Sequence, residues 1–140
     1  MADVIYNSFK KKIMDGSIDL DTDTIKVALV TSSYTPDQDA HDFFDDITNE
    51  VSGTGYTAGG ASLSTKTVTA DNTDNEGVFD ADDVSWTSST ITARGAVIYK
   101  STGTASTSPL ICYLDFGSDK VSTAGTFTIS WNSEGILNLN

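Results

Sequence analysis

The chain of 140 residues holds one cysteine, one histidine, two prolines and only three glutamates among its 20 acidic side chains. A single thiol, Cys112, excludes an internal disulfide, and a chain of this length buries roughly two thirds of its unfolded surface without one. One imidazole and one thiol supply no spaced His/Cys set of the kind that holds zinc. No apolar run approaches the roughly 20 residues needed to cross a bilayer, and no basic-then-apolar leader opens the sequence. Basic residues are also scarce: 8 Lys and Arg against 20 Asp and Glu give a net charge of −12. Such a field repels nucleic acid, whose binders carry a basic footprint, and it disfavours anionic membrane surfaces. The expectation is a soluble acidic protein with neither as a partner.

Catalytic groups are thin as well. A Ser-His-Asp triad could be assembled only by choosing freely among many serines and aspartates, and paired carboxylates for glycoside hydrolysis meet the same objection, since any acidic loop offers pairs. The expectation is a chain that is not an enzyme, with no catalytic residue, no cofactor and no metal.

What the chain does contain is turn chemistry and alternation. Residues 49–69 are central, with Gly53, Gly55, Gly59 and Gly60 bracketing Tyr56 before a Ser/Thr-rich run. Glycine permits positive φ and close backbone approach, so a bent entry into a strand is expected, with Tyr56 as its anchor. Gly53-Thr-Gly55 is not a phosphate-binding fingerprint, because the residues after it are β-prone rather than helical.

Residues 2–15 carry Ile5, Phe9 and Ile13 at helical spacing, with lysines 10–12 toward the C-terminal end and Gly16 as the stop. The lysine triple reads as a solvated helix face. Asp19, Asp21 and Asp23 have the spacing of the first calcium-loop ligands, but Thr24 and Val30 stand where glycine and glutamate belong, so a turn before a strand is expected. Residues 25–31 alternate Ile25, Val27 and Leu29 against Lys26, Ala28 and Val30, as a core strand does.

Residues 32–52 form an acidic loop that embeds Phe43, Phe44 and Ile47 and contains His41, for which a solvated loop is a better reading than a metal site. Residues 70–83 repeat acidic turn chemistry around Val78 and Phe79, and their aspartates meet no calcium-loop spacing. Short strands are then expected at 84–87, 91–100, 109–116, 126–131 and 135–139, with a turn over 117–125. Trp86, Leu110, Cys112, Leu114, Phe116, Phe127, Ile129 and Trp131 are the expected core beside Ile25, Val27 and Leu29. Together these signals predict one all-β domain over residues 1–140, an antiparallel β-sandwich or jelly-roll-like barrel with one N-terminal helix (2–15) and a β body over 25–139.

Six stretches, spread along most of the chain, carry a resemblance. They are Ile18-Asp-Leu-Asp-Thr-Asp-Thr-Ile-Lys-Val-Ala-Leu-Val-Thr-Ser, Tyr34-Thr-Pro-Asp-Gln-Asp-Ala-His-Asp-Phe-Phe, Glu50-Val-Ser-Gly-Thr-Gly-Tyr-Thr-Ala-Gly-Gly, Phe79-Asp-Ala-Asp-Asp-Val-Ser-Trp, Ala96-Val-Ile-Tyr-Lys and Gly125-Thr-Phe-Thr-Ile-Ser-Trp-Asn. In these the sequence resembles small structural proteins of tailed bacteriophages, found among head decoration (cement) and other virion proteins. The resemblance implies a protein made in the bacterial host cytoplasm that sits on the outer capsid surface. It implies as partners the major capsid protein and copies of the chain itself, as a homodimer or homotrimer.

Candidate contact residues are apolar ones near the chain ends or in the long loop: Ile5, Phe9, Ile13, Phe43, Phe44, Ile136 and Leu137. Two other readings stay open. One is a tail or head-fibre component. The other is a glycan-binding module in which Trp86, Trp131 and Tyr56 stack on sugar rings.

Overall fold

The computed structural model describes residues 2–140; residue 1 lies outside the described residues. The chain folds as an antiparallel β-sandwich with one short α-helix. Its elements are β1 (Val4–Ile5), α1 (Asn7–Met14), β2 (Ile25–Val30), β3 (Ala61–Ser62), β4 (Thr67–Asp71), β5 (Glu76–Asp80), β6 (Val84–Lys100), β7 (Leu110–Ile129) and β8 (Leu137–Leu139). A five-stranded sheet runs in the order β1-β7-β6-β2-β3, and a three-stranded sheet in the order β4-β5-β8. The two sheets stay separate, so of the two expected architectures the sandwich is the one found.

The long hairpin β6–β7 is the spine. Where two strands over 84–100 and two over 109–131 were expected, the structure has one continuous strand each, and the expected turn over 117–125 is replaced by a ladder with interruptions. Ser88 takes φ 49° and Ala124 φ 44°. The register slips by one residue on each side of Ser89, and Phe116 to Asp119 bulge out together opposite Arg94. A single extra residue turns the side chains beyond it, on the strand that carries it, to the other face. Trp86 enters the main core from an even-numbered position, Ile91 and Ala93 from odd ones, and Ala96 and Ile98 from even ones again.

A further slip at Ile111 puts Leu110 on the opposite face from Cys112, against the expectation that they pack together. Leu114, Phe116 and Trp131 are half-buried against the main core rather than inside it. A buried hydroxyl cluster fills the gap at the slip beside Ser89. Its Oγ lies 2.8 Å from Ser122 Oγ, 2.9 Å from the Gly125 carbonyl and 3.0 Å from the Trp86 carbonyl, while the Ile91 N–H donates to Ser122 Oγ (3.2 Å).

Both faces of the large sheet are covered, which makes β2 apolar on both sides. On one face Ile25, Val27, Leu29, Ile91, Ile98 and Phe127 meet Phe9 of α1 and Phe79 of β5. On the other, Ala28, Val30, Val97, Tyr99, Leu110 and Tyr113 meet Tyr6 and Tyr34. That second face is roofed by the acidic loop, whose short 3-10 turn Phe44–Asp46 stacks Phe44 on Tyr99 at 4.1 Å between ring centroids.

The helix is shorter than expected, because Val4 and Ile5 pair as β1 with Tyr113 and Cys112. Tyr6 ends that pairing and starts α1, and Gly16, at φ 78°, terminates it. Residues 70–83, expected as turn, contain β5, with Phe79 buried.

The glycine-rich stretch 49–63 finishes the outer edge of β2. The pairing with β3 covers only Lys26 and Val27. Beyond it the Leu29 N–H donates to the Tyr56 hydroxyl (2.9 Å), the Val51 N–H donates to the Leu29 carbonyl (2.9 Å), and Glu50 bridges Val30. The Tyr56 hydroxyl donates in turn to Glu50 Oε2 (2.6 Å), which also accepts from the Gly59 N–H (2.7 Å). Gly60 sits at φ 76° with the Val27 carbonyl oxygen 1.8 Å from where a Cβ would stand, and Gly53 lies similarly against the Thr90 carbonyl at 2.3 Å. The anchor is therefore a side chain acting as a strand partner.

Candidate protein-docking groove

The helix and the small sheet leave a groove between them. The sheet registers set Val68 opposite Phe79 and Phe79 opposite Leu137, then Ala70 opposite Gly77 and Gly77 opposite Leu139. Side chains alternate across a strand, so these six share one face, and every one is apolar. Thr67, Thr69, Asp71, Glu76, Val78, Asp80 and Asn138 occupy the other face. The first row is anchored by the buried Phe79. The second, with alanine and glycine at its centre, forms a shallow floor open to solvent.

Ile5, Phe9, Lys10, Ile13, Met14 and Leu20 line the rest of the groove, around a space of about 480 Å³. Met14 is 82% exposed, Leu139 69% and Val68 50%. Among the described residues, the one exposed large apolar side chain that lies elsewhere is Val121, on β7.

The expected contact residues divide accordingly. Ile5, Phe9, Ile13 and Leu137 line the groove, and Ile136 packs beside it against the core. Phe44 is used by its own chain against Tyr99, and Phe43 lies under the ammonium of Lys12, 5.0 Å from Nζ to ring centroid. Neither reaches the groove. The sequence reading overlooked Met14, Val68, Gly77 and Leu139; the signal for Val68, Gly77 and Leu139 was the period-2 spacing within β4, β5 and β8, once β5 is recognised as a strand.

Other expected groups are engaged in structure. The Asp37 backbone N–H donates to His41 Nδ1 (3.2 Å), which fixes that nitrogen as an acceptor. The Tyr34 hydroxyl then donates to it (2.9 Å) while accepting from Tyr6 (2.8 Å). Burial raises the Tyr34 phenol to about 12 and Tyr6 further in the same direction. Burial likewise pushes the Cys112 thiol up to about 12, the reverse of what a nucleophile needs.

Trp86 is buried, with Tyr56 and Phe127 rings 5.9 and 6.1 Å away. Tyr56 is held by Glu50 and Leu29, and the Trp131 indole donates to the Asp82 carbonyl (2.9 Å). The three rings proposed to stack on sugars therefore form no shared exposed platform.

Of the acidic residues in 70–83, Asp71 and Asp74 converge with Glu76 and Glu134, with carboxylate oxygens within 4.8 Å of one another. Asp80, Asp82 and Asp83 instead accept bonds from Ala81 N–H, Thr65 hydroxyl and Trp131 N–H. Asp71 caps its own turn by accepting from the Thr73 and Asp74 N–H groups, and Glu76 accepts from the Asn138 amide. The cluster makes this end of the small sheet strongly negative.

Among the described residues no helix is long and apolar enough to cross a membrane. Comparison with family models, with curated proteins and with solved structures finds no match to this chain.

Proposed function

We propose that this chain is a structural virion protein of a tailed bacteriophage, a cement protein that binds the outer face of the head and bridges major capsid protein subunits, without catalysing a reaction. The single observation that carries the reading is the solvent-open apolar groove between α1 and the β4-β5-β8 sheet. A monomeric protein gains nothing from leaving Met14, Val68 and Leu139 together in water, whereas an assembling one buries them against a partner. The charge of −12 fits the same role, keeping free copies apart before assembly. The side chains best suited to nucleophile or base chemistry, Cys112 and His41, serve packing and a tyrosine hydrogen-bond chain. The resemblance of the six stretches supplies the virion setting.

Cryo-electron microscopy of purified particles tests the proposal. Density for this fold in hundreds of copies over the shell is the expected result. A handful of copies at the tail or as a head fibre would replace it with the other virion reading. Binding on a glycan array, with no density on particles, would replace both.

A further inference from the structure

We infer that the outer edge of β4 accepts an added β-strand from its partner: an extended segment with apolar residues at alternate positions and lysine or arginine at its ends. β4 is the terminal strand of its sheet, and among the described residues Thr67–Asp71 pair only with β5. Its first four residues are all exposed. Soluble proteins usually blunt such an edge with a proline, an edge lysine or a bulge. β4 has none of these, and its register with β5 is unbroken over all five pairs. The nearest lysine, Lys66, is turned away and donates to the Asp23 carbonyl (2.7 Å).

An added strand would satisfy the unpaired backbone groups and lay every second side chain into the groove beside Val68 and Ala70. Charge decides the occupant. Asp71, Asp74, Glu76 and Glu134 converge at one end of β4, and Asp80 and Asp82 lie toward the other. A segment with basic ends fits that frame, and a second copy of a chain with net charge −12 fits it poorly. That the segment belongs to a shell subunit rests on the function proposed above; the strand addition itself does not.

The test uses the intact chain and a short synthetic peptide of alternating valine and threonine with lysines at both ends, against a twin ending in glutamates. The expected result has the lysine peptide shifting the backbone amide resonances of Thr67–Asp71 and slowing their hydrogen exchange. Added salt should weaken binding, and the glutamate twin should not bind. Val68→Asp, at an exposed site where the fold tolerates a charge, should weaken binding about tenfold or more. Val121→Asp, at the exposed apolar site on β7, should leave it unchanged.

The inference is overturned if the shifts map away from β4, if both peptides bind alike, or if Val68→Asp binds as the parent does. It also falls if the chain alone forms a concentration-dependent dimer that Val68→Asp abolishes, because the occupant is then a second copy. A chain that coats particles while its β4 amides stay unprotected sinks the strand addition and leaves the cement reading standing.

Discussion

Tyr56 shows how much one hydroxyl can hold. It accepts from the Leu29 N–H, which has no strand partner on that side, and donates to Glu50. Tyr56→Phe keeps the ring against Trp86 but leaves a buried N–H without its partner and Glu50 with one donor fewer. The expected loss is about 1–3 kcal/mol of unfolding free energy, measured by denaturant titration with an unchanged slope.

Asp115 makes a pH prediction at the same scale. The Gly117 N–H and the Arg94 guanidinium, at 2.9 and 3.0 Å, hold its carboxyl down at about 2 against an ordinary value of 3.8. A depressed folded-state value means the unfolded chain binds the proton more readily. The stabilisation is therefore complete above about pH 4 and disappears as pH falls toward 2. Asp115→Asn should flatten that part of the melting-temperature profile, and a mutant profile as steep as the parent's between pH 4 and 2 would refute the assignment.

At the scale of elements, the β6–β7 hairpin explains what could and could not be read in advance. β2 was legible because its alternation is unbroken and both of its faces are apolar. The stop at Gly16 was legible from local chemistry. The continuity of β6 and β7 was not, because alternation is a parity signal and an extra residue resets the parity of the strand that carries it. Trp86 and Ile91 face the same core from positions of opposite parity, which in sequence alone looks like two strands with a break. β1 was hidden for another reason: Val4 and Ile5 fit a helical stripe as well as a strand, and only the distant Tyr113 and Cys112 decide between them. The groove was half-visible. The helical stripe and the last strand are plain in the sequence, but the aspartates and glycine around Val78 and Phe79 give β5 the look of a turn.

The hairpin's slips also generate a prediction. Ser89→Ala removes the hydroxyl that meets Ser122, Trp86 and Gly125 inside the gap. It should cost about 1–3 kcal/mol, because the remaining polar groups are buried without it. Thr87→Ala, on the exposed side of the same strand, should stay within about 0.5 kcal/mol. Equal losses at the two positions, compared by thermal melts, would show the cluster to be dispensable.

Across the whole molecule, the two cores share β2, β6 and β7, so neither can open without exposing the other. Cys112 lies in this shared region with its thiol raised to about 12. It should be silent to a thiol reagent in native buffer and react with rate constants that follow global unfolding over a denaturant series. Rapid labelling without denaturant would mean that β7 opens by itself.

The pairing of β1 with β7 has a consequence in time. Val4 meets Tyr113 across more than a hundred residues of chain, so an edge strand of the large sheet, once made, waits for a partner synthesised more than a hundred residues later. A nascent polypeptide leaving the ribosome therefore cannot finish this sheet early, and contacts of such long range are slow to form. Maturation of the fold should lag behind translation, with residues 4–6 the last to become protected.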